Sequence, residues 1–254
     1  SGTWTLTNTA NSYTGVTTIS GGTLSVSYLA NGGSNSNIGA SDSSAANLVI
    51  SGGTLKYTGS TGNSTDRLFT IGTGASGATI EAAGSATLTF TNTGTLVTSG
   101  TGTRTLTLTG TGNGSLAAII PNDASSNATA LTKTNSGTWT LTNTANSYTG
   151  VTTISGGTLQ IGSAGRLGSG TYAGNIVTSS GALFEYSSSA AQTLSGVISG
   201  AGGITKDTDL SSVLTLSNTA NSYTGVTTIS GGTLSVSYLA NGGSNSNIGA
   251  SGSS

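Results

Sequence analysis

Cysteine and histidine do not occur in the 254 residues, proline occurs once, at Pro121, and charged side chains make up only 5% of the chain. Without Cys and His there are no disulfide staples, no thiolate or imidazole metal ligands, no Ser-His-Asp or Cys-His triad and no imidazole general base. The 6 basic and 7 acidic residues leave a net charge of −1. That removes the basic footprint which nucleic acid or an anionic membrane surface would require, so neither is an expected partner. No stretch approaches the roughly 18 to 20 apolar residues of a membrane helix, and membrane insertion of this segment is not expected. The N-terminus, Ser1-Gly2-Thr3-Trp4, shows no initiator Met, basic n-region or apolar h-region, which reads as a mature fragment or an internal window.

What fills the chain is uncharged and polar: 49 Thr, 43 Ser, 42 Gly and 20 Asn. Leu, Ile, Val and Phe are scarce enough to raise the question of disorder, but disorder also calls for high net charge, which is missing. The apolar residues alternate with Thr or Ser, as in Trp4/Leu6, Leu24/Val26, Leu48/Ile50, Leu55/Tyr57, Leu88/Phe90 and Leu106/Leu108. That period of two marks strands, and the Gly-Gly, Asn-Gly, Ser-Gly and Thr-Gly pairs between the runs mark tight turns. The nearest thing to a continuous apolar run, Leu116–Ile120, is too short for a helix and meets Pro121, so helix content near zero is expected.

The sequence repeats itself. Residues 1–24 recur unchanged at 136–159, and residues 8–41 recur unchanged at 218–251, offsets of 135 and 210. Looser echoes lie at Val49–Tyr57, Ala78–Phe90 and Val177–Tyr186, each a strand, a Gly-containing turn and a strand. Tandem copies of short strands favour a parallel β-solenoid over a sandwich or closed barrel, because one turn of chain cannot bury enough alone and must stack on its neighbours. The expectation is an all-β solenoid, continuous over 1–254, with copies at 1–44, 136–162 and 211–254 and looser rungs at 45–135 and 163–210. Turns of about 22 to 25 residues would give roughly ten to twelve rungs and a rod of about 50 Å at the spacing of hydrogen-bonded strands. Leu24, Ile154 and Leu216 are core candidates.

The segments Gly202–Lys206 with Leu214–Leu234, Leu131–Gly162, and Ser1–Val26 resemble the autotransporter-associated β-strand repeat of secreted bacterial passenger proteins. The resemblance covers roughly a third of the chain; loops of the SNIGASDSS type, Ser36–Ser44, lie outside it. It implies a right-handed parallel β-helix, export across a bacterial envelope to the cell surface or beyond, and service as a stalk, adhesin or fibre. The absence of Cys agrees with crossing the envelope unfolded. The repeat has no catalytic residues to carry over.

Asp207 and Asp209 are the only close carboxylate pair, with Lys206 adjacent, and a solvated turn is the favoured reading over a glycosidase-like site. Asp66-Arg67, Glu81, Arg104, Asp123, Arg166 and Glu185 are scattered singly, and no periodic Asp supports calcium binding. No catalytic, metal or cofactor site is therefore assigned. Thr103, Thr105, Thr107 and Thr109 share one strand face, the pattern of an ice-binding array, but Thr is also the commonplace exposed β-former. Strict alternation there would drive Arg104 into the core. Trp4, Trp139, Tyr13, Tyr148 and Tyr223 recur at fixed repeat positions, for corner packing in preference to a sugar-stacking ladder. Tyr28, Asn31 and Asn35, with their copies Tyr238, Asn241 and Asn245, are the candidate surface contacts, on long Asn/Ser/Gly loops. The expected function is a non-enzymatic extracellular structural module whose partner is itself, through adjacent rungs or end-to-end copies. The competing reading is an adhesin for surface glycans, less readily for ice, using Thr, Asn and Tyr ladders.

Overall fold

A computed structural model describes residues 2–125, 127–207 and 211–252, apart from the side chains of Ala75 and Ser76. The chain winds as a three-sided parallel β-solenoid. One side is a nine-stranded sheet of Thr3–Leu6, Thr23–Val26, Thr54–Tyr57, Gly74–Ala82, Arg104–Thr109, Thr129–Lys133, Thr152–Ile154, Ile176–Thr178 and Ile198–Gly200. The second is an eight-stranded sheet of Asn63–Thr65, Leu88–Phe90, Gly114–Leu116, Thr138–Leu141, Thr158–Ile161, Leu183–Tyr186, Gly203–Lys206 and Thr227–Ile229. The third side is made by two four-stranded sheets, Thr17–Ile19 to Val97–Thr98 and then Thr171–Tyr172 to Thr233–Val236. Strand pairs are parallel throughout the described residues, and the only helical elements there are three-residue 3-10 turns at Ala45–Asn47 and Gly168–Gly170.

Alternation sorts each strand's residues into a core column and a surface column. On the first side the inward column runs Trp4, Leu24, Leu55, Ile80, Leu108, Lys133, Ile154 and Thr178, each paired with the next. The outward column beside it runs Thr3, Thr23, Thr54, Thr79, Thr107, Thr132 and Thr153, seven threonines in unbroken register. Leu24, Ile154 and Leu216 are all buried, as alternation requires.

The turns are not of uniform length. Thr3 pairs with Thr23, Thr23 with Thr54, Thr54 with Thr79 and Thr132 with Thr153, so a turn takes as few as 20 residues and as many as 31. The expected 22 to 25 gives way because loops such as 27–47 leave the strand path at a corner and return without disturbing the stacked strands.

The identical repeats do not lie above one another. In the first copy Thr3–Leu6 and Thr23–Val26 belong to the first side; in the second, Thr138–Leu141 and Thr158–Ile161 belong to the second side; in the third, Val213–Leu216 and Thr233–Val236 belong to the third. The same sequence thus advances by one side at each recurrence. A parallel strand stacked on a parallel strand presents the same hydrogen-bonding edge on every side, so one motif fits all three.

Candidate contact surface

Within each copy, the segment Asn-Thr-Ala-Asn-Ser-Tyr-Thr-Gly passes a side of the solenoid without forming a strand, which would leave the strands below and above it without backbone partners. A side-chain amide takes the strand's place. Asn146 accepts from the Ile120 N–H at 3.0 Å and donates to the Asn143 and Arg166 carbonyls, both at 3.0 Å. Asn221 accepts from Ile198 N–H at 2.8 Å and donates to the Asn247 carbonyl at 2.8 Å; Asn11 donates to the Asn8 and Asn37 carbonyls. Asn8, Asn143 and Asn218 close Asx turns onto Ala10, Ala145 and Ala220, each at 2.9 Å. The tyrosines follow the same pattern, with hydroxyl pairs Tyr13–Thr17, Tyr148–Thr152 and Tyr223–Thr227.

Trp139, Tyr148 and Tyr223 have no exposed surface, which settles them as packing residues. The Trp139 indole donates to the Thr109 carbonyl at 3.0 Å and lies over Gly114, where a Cβ would meet the ring. Trp4 and Tyr13, their counterparts in the first copy, are 72% and 42% exposed, since they lie on the first turn. The hollow of about 700 Å³ beside them, lined by Leu6, Ile19 and Leu24 among others, is the core seen in cross-section.

All six candidate contact residues, Tyr28, Asn31, Asn35, Tyr238, Asn241 and Asn245, are exposed. Their loops are held from inside by Asn37 and Asn247, fully buried amides the sequence reading passed over. Asn37 accepts from the Ser27 and Tyr28 N–H groups and donates to Asn8 O; Asn247 does the same with Ser237, Tyr238 and Asn218. Tyr28 and Asn31 border a shallow polar depression of about 310 Å³ with Ser34, Asn63 and Ser64. Asn31 already has a task, since its Oδ1 accepts from the Asp66 N–H at 3.0 Å.

Two charged residues, Arg67 and Lys206, lie elsewhere than expected, and Arg104 lies where strict alternation would put it. Arg104 is 1% exposed: burial alternates from Arg104 to Leu108, with Thr109 buried as well, and the guanidinium enters the core, where it meets Asp123 at 3.0 Å and the carbonyls of Ser99, Gly100 and Gly102. Asp123 is held down at about 2, first by the Asn127 side chain and then by backbone N–H groups of Asn127, Gly102 and Ser125. Arg67, read as an isolated charge, is 3% exposed and donates to five carbonyls and one hydroxyl of the loop at 30–42. Lys206 does not belong to a solvated turn: it occupies an inward position of Gly203–Lys206, with its ammonium 5.8 Å from the centre of the Tyr186 ring and 3.0 Å from the Asp207 carbonyl. Asp209, the other half of the carboxylate pair, lies outside the described residues. Among the described residues, no three carboxylates converge to hold a metal ion and no helix is long and apolar enough to cross a membrane.

The passenger-associated-transport-repeat family matches residues 1–26, 131–161 and 211–236, the segments that carry the three copies of the motif. The chain is similar to the adhesin BmaC autotransporter of Brucella suis biovar 1, 45% identical over 287 aligned residues that take in 98% of the chain and 7% of the relative. It therefore spans a small fraction of that protein's length. No solved structure matches. The repeated motif, its three-sided parallel winding and this similarity identify the chain as one that carries passenger-associated transport repeats.

Proposed function

We propose that the chain is a non-enzymatic rod segment of a large exported passenger, which spaces and presents adhesive surface away from the bacterial cell. As a passenger repeat chain it belongs to the cell surface or the extracellular space. The observation that carries the rod reading is the advance of one motif around three equivalent sides: the first two copies end in strands, Thr23–Val26 and Thr158–Ile161, that the next turn extends in register, so length is added without a new fold. Self-association through such a strand edge is the partner reading, and glycan contact is the second. Glycan contact is favoured by the column of seven in-register threonines, whose hydroxyls recur at about the 4.8 Å strand spacing.

Negative-stain electron microscopy at two concentrations tests the rod. Short rods of constant length support a spacer within one polypeptide; filaments that lengthen with concentration make end-to-end assembly the function; globular particles overturn both. Glycan arrays probed with wild-type chain and a Thr79→Val/Thr107→Val/Thr132→Val variant test the second reading, which fails if the two bind alike.

A further inference from the structure

The loop at 27–47 is fixed from both of the turns that flank it. Towards the preceding turn, the buried Asn37 amide holds the Ser27 and Tyr28 N–H groups and donates to Asn8 O, while the Asn37 carbonyl accepts from the Asn11 side chain. From the following turn, Asn63 Oδ1 accepts from Leu29 N–H and Asp66 Oδ1 from Gly32 N–H, each at 2.6 Å. The Arg67 guanidinium then spans the carbonyls of Ala30, Ser34, Gly39 and Ser41, which its planar fork of five donors can reach together. Stacking continues beyond that contact, since Asn63–Thr65 pairs in register with Leu88–Phe90. The shallow depression between loop and strand therefore lies within the stack of turns, flanked on both sides.

The groups that border the depression are of a consistent kind. Asn31 and Asn63 each commit Oδ1 to a backbone N–H, of Asp66 and Leu29, and neither Nδ2 group has a protein partner among the described residues. Ser34 and Ser64, both exposed, place their hydroxyls at the same rim. The Tyr28 ring is 41% exposed although its backbone is anchored. No charged side chain borders the depression, and Arg67 is buried and occupied by loop carbonyls.

An aromatic face beside amide donors and hydroxyls, without charge, complements a neutral pyranose. The C–H face of the sugar packs on the ring, and its oxygens accept from the amides. An acidic sugar would bring a carboxylate to a place with no cation to meet it. The volume of about 310 Å³ is at the lower end of the roughly 300–1,000 Å³ of small-molecule sites, room for one sugar residue. Because the loop is held before a ligand arrives, little ordering entropy opposes binding.

We propose that Tyr28, Asn31, Ser34, Asn63 and Ser64 form a subsite for one neutral pyranose residue of a glycan, stacked on Tyr28. Such a subsite presupposes the glycan contact proposed above but not its threonine column, which lies on the first side of the solenoid, whereas Asn63 and Ser64 belong to the second. Asn35, exposed on the same loop, does not border the depression and supplies a control.

The test is saturation-transfer difference NMR on the purified chain with methyl glycosides of neutral hexoses and N-acetylhexosamines, and with glycosides of glucuronic and sialic acid as the charged comparison. The expected result is saturation of one face of a neutral pyranose, with binding weakened about tenfold or more by Tyr28→Ala and kept by Tyr28→Phe and Asn35→Ala. Ser64→Arg, which leaves the ring in place and fills the depression, is expected to abolish the signal. Circular dichroism checks that each variant keeps its strands. Binding that survives both Tyr28→Ala and Ser64→Arg, equal binding of the acidic sugars, or no saturation of any neutral pyranose overturns the proposal. Should the Thr79→Val/Thr107→Val/Thr132→Val variant lose a binding that Tyr28→Ala keeps, glycan contact stands on the threonine column and the subsite at Tyr28 is wrong.

Discussion

A solenoid side that loses a strand exposes backbone donors and acceptors in the two turns that flank it, and single asparagines in this chain supply both. Removing one leaves buried groups without partners, each worth about 1–3 kcal/mol. Asn146→Ala is expected to cost about 2–4 kcal/mol in chemical denaturation, since Ile120 N–H and the Asn143 and Arg166 carbonyls lose it together. The buried ions give two opposite pH responses. Asp123 titrates at about 2 in the folded chain against 3.8 for an unperturbed carboxyl, so its stabilisation is present above about 4 and is lost as pH falls toward 2. The unfolding midpoint should drop across that window, and Asp123→Asn should flatten the dependence. Burial pushes Lys133 down to about 8, although its ammonium meets the carbonyls of Thr134, Asn135 and Gly156. The folded state sheds that proton before the unfolded state does, so the cost of the buried charge is full below pH 8 and relieved between 8 and 10.5. Stability should rise over that range in the wild type, and Lys133→Met should remove the rise.

At the scale of elements, the corners decide how closely turns approach. Along one corner a Cβ on Gly84 would overlap the carbonyl oxygen of Gly59, one on Gly112 that of Gly84, and one on Gly137 that of Gly112. This glycine column is a packing device as well as a turn signal, because the obstacle is backbone and cannot swing aside. Gly112→Ala should lower the melting temperature by several degrees, whereas Gly62→Ala, which meets nothing within 4 Å, should not. The alternation, the turns and the inward apolar residues were legible in the sequence because each depends on neighbours within a few residues. The placement of Arg67 was not; alternation did send Arg104 into the core, but only the loop carrying Asp123, 19 residues on, makes that tolerable.

On the scale of the whole molecule, every turn is stabilised by the turns beside it, so damage in one is felt along the rod. Ile154 lies in the inward column between Lys133 and Thr178, near mid-chain. Ile154→Asp should cost more than about 4 kcal/mol, because it replaces a buried apolar side chain by a carboxylate beside a Lys133 ammonium already taken up by the Thr134, Asn135 and Gly156 carbonyls. Limited proteolysis should then cut on both sides of residue 154, while an unchanged melting curve would contradict the stacked core. The corners, by contrast, tolerate loops as long as 27–47 without breaking the strand register on either side.

The sequence by itself determined that the chain is all-β, repetitive, free of imidazole and thiol chemistry, and built from strands that must stack to be stable, since composition, period and self-similarity are local properties. It also marked the loops of Tyr28 and Tyr238 as surface. Tertiary structure alone decided that the identical copies occupy three different sides, that Asn11, Asn146 and Asn221 stand in for missing strands, and that Arg67 grips a loop more than twenty residues away. Those facts depend on which turn lies above which, and that register is set by the unequal lengths of the corner loops, which the hydrophobic period does not record.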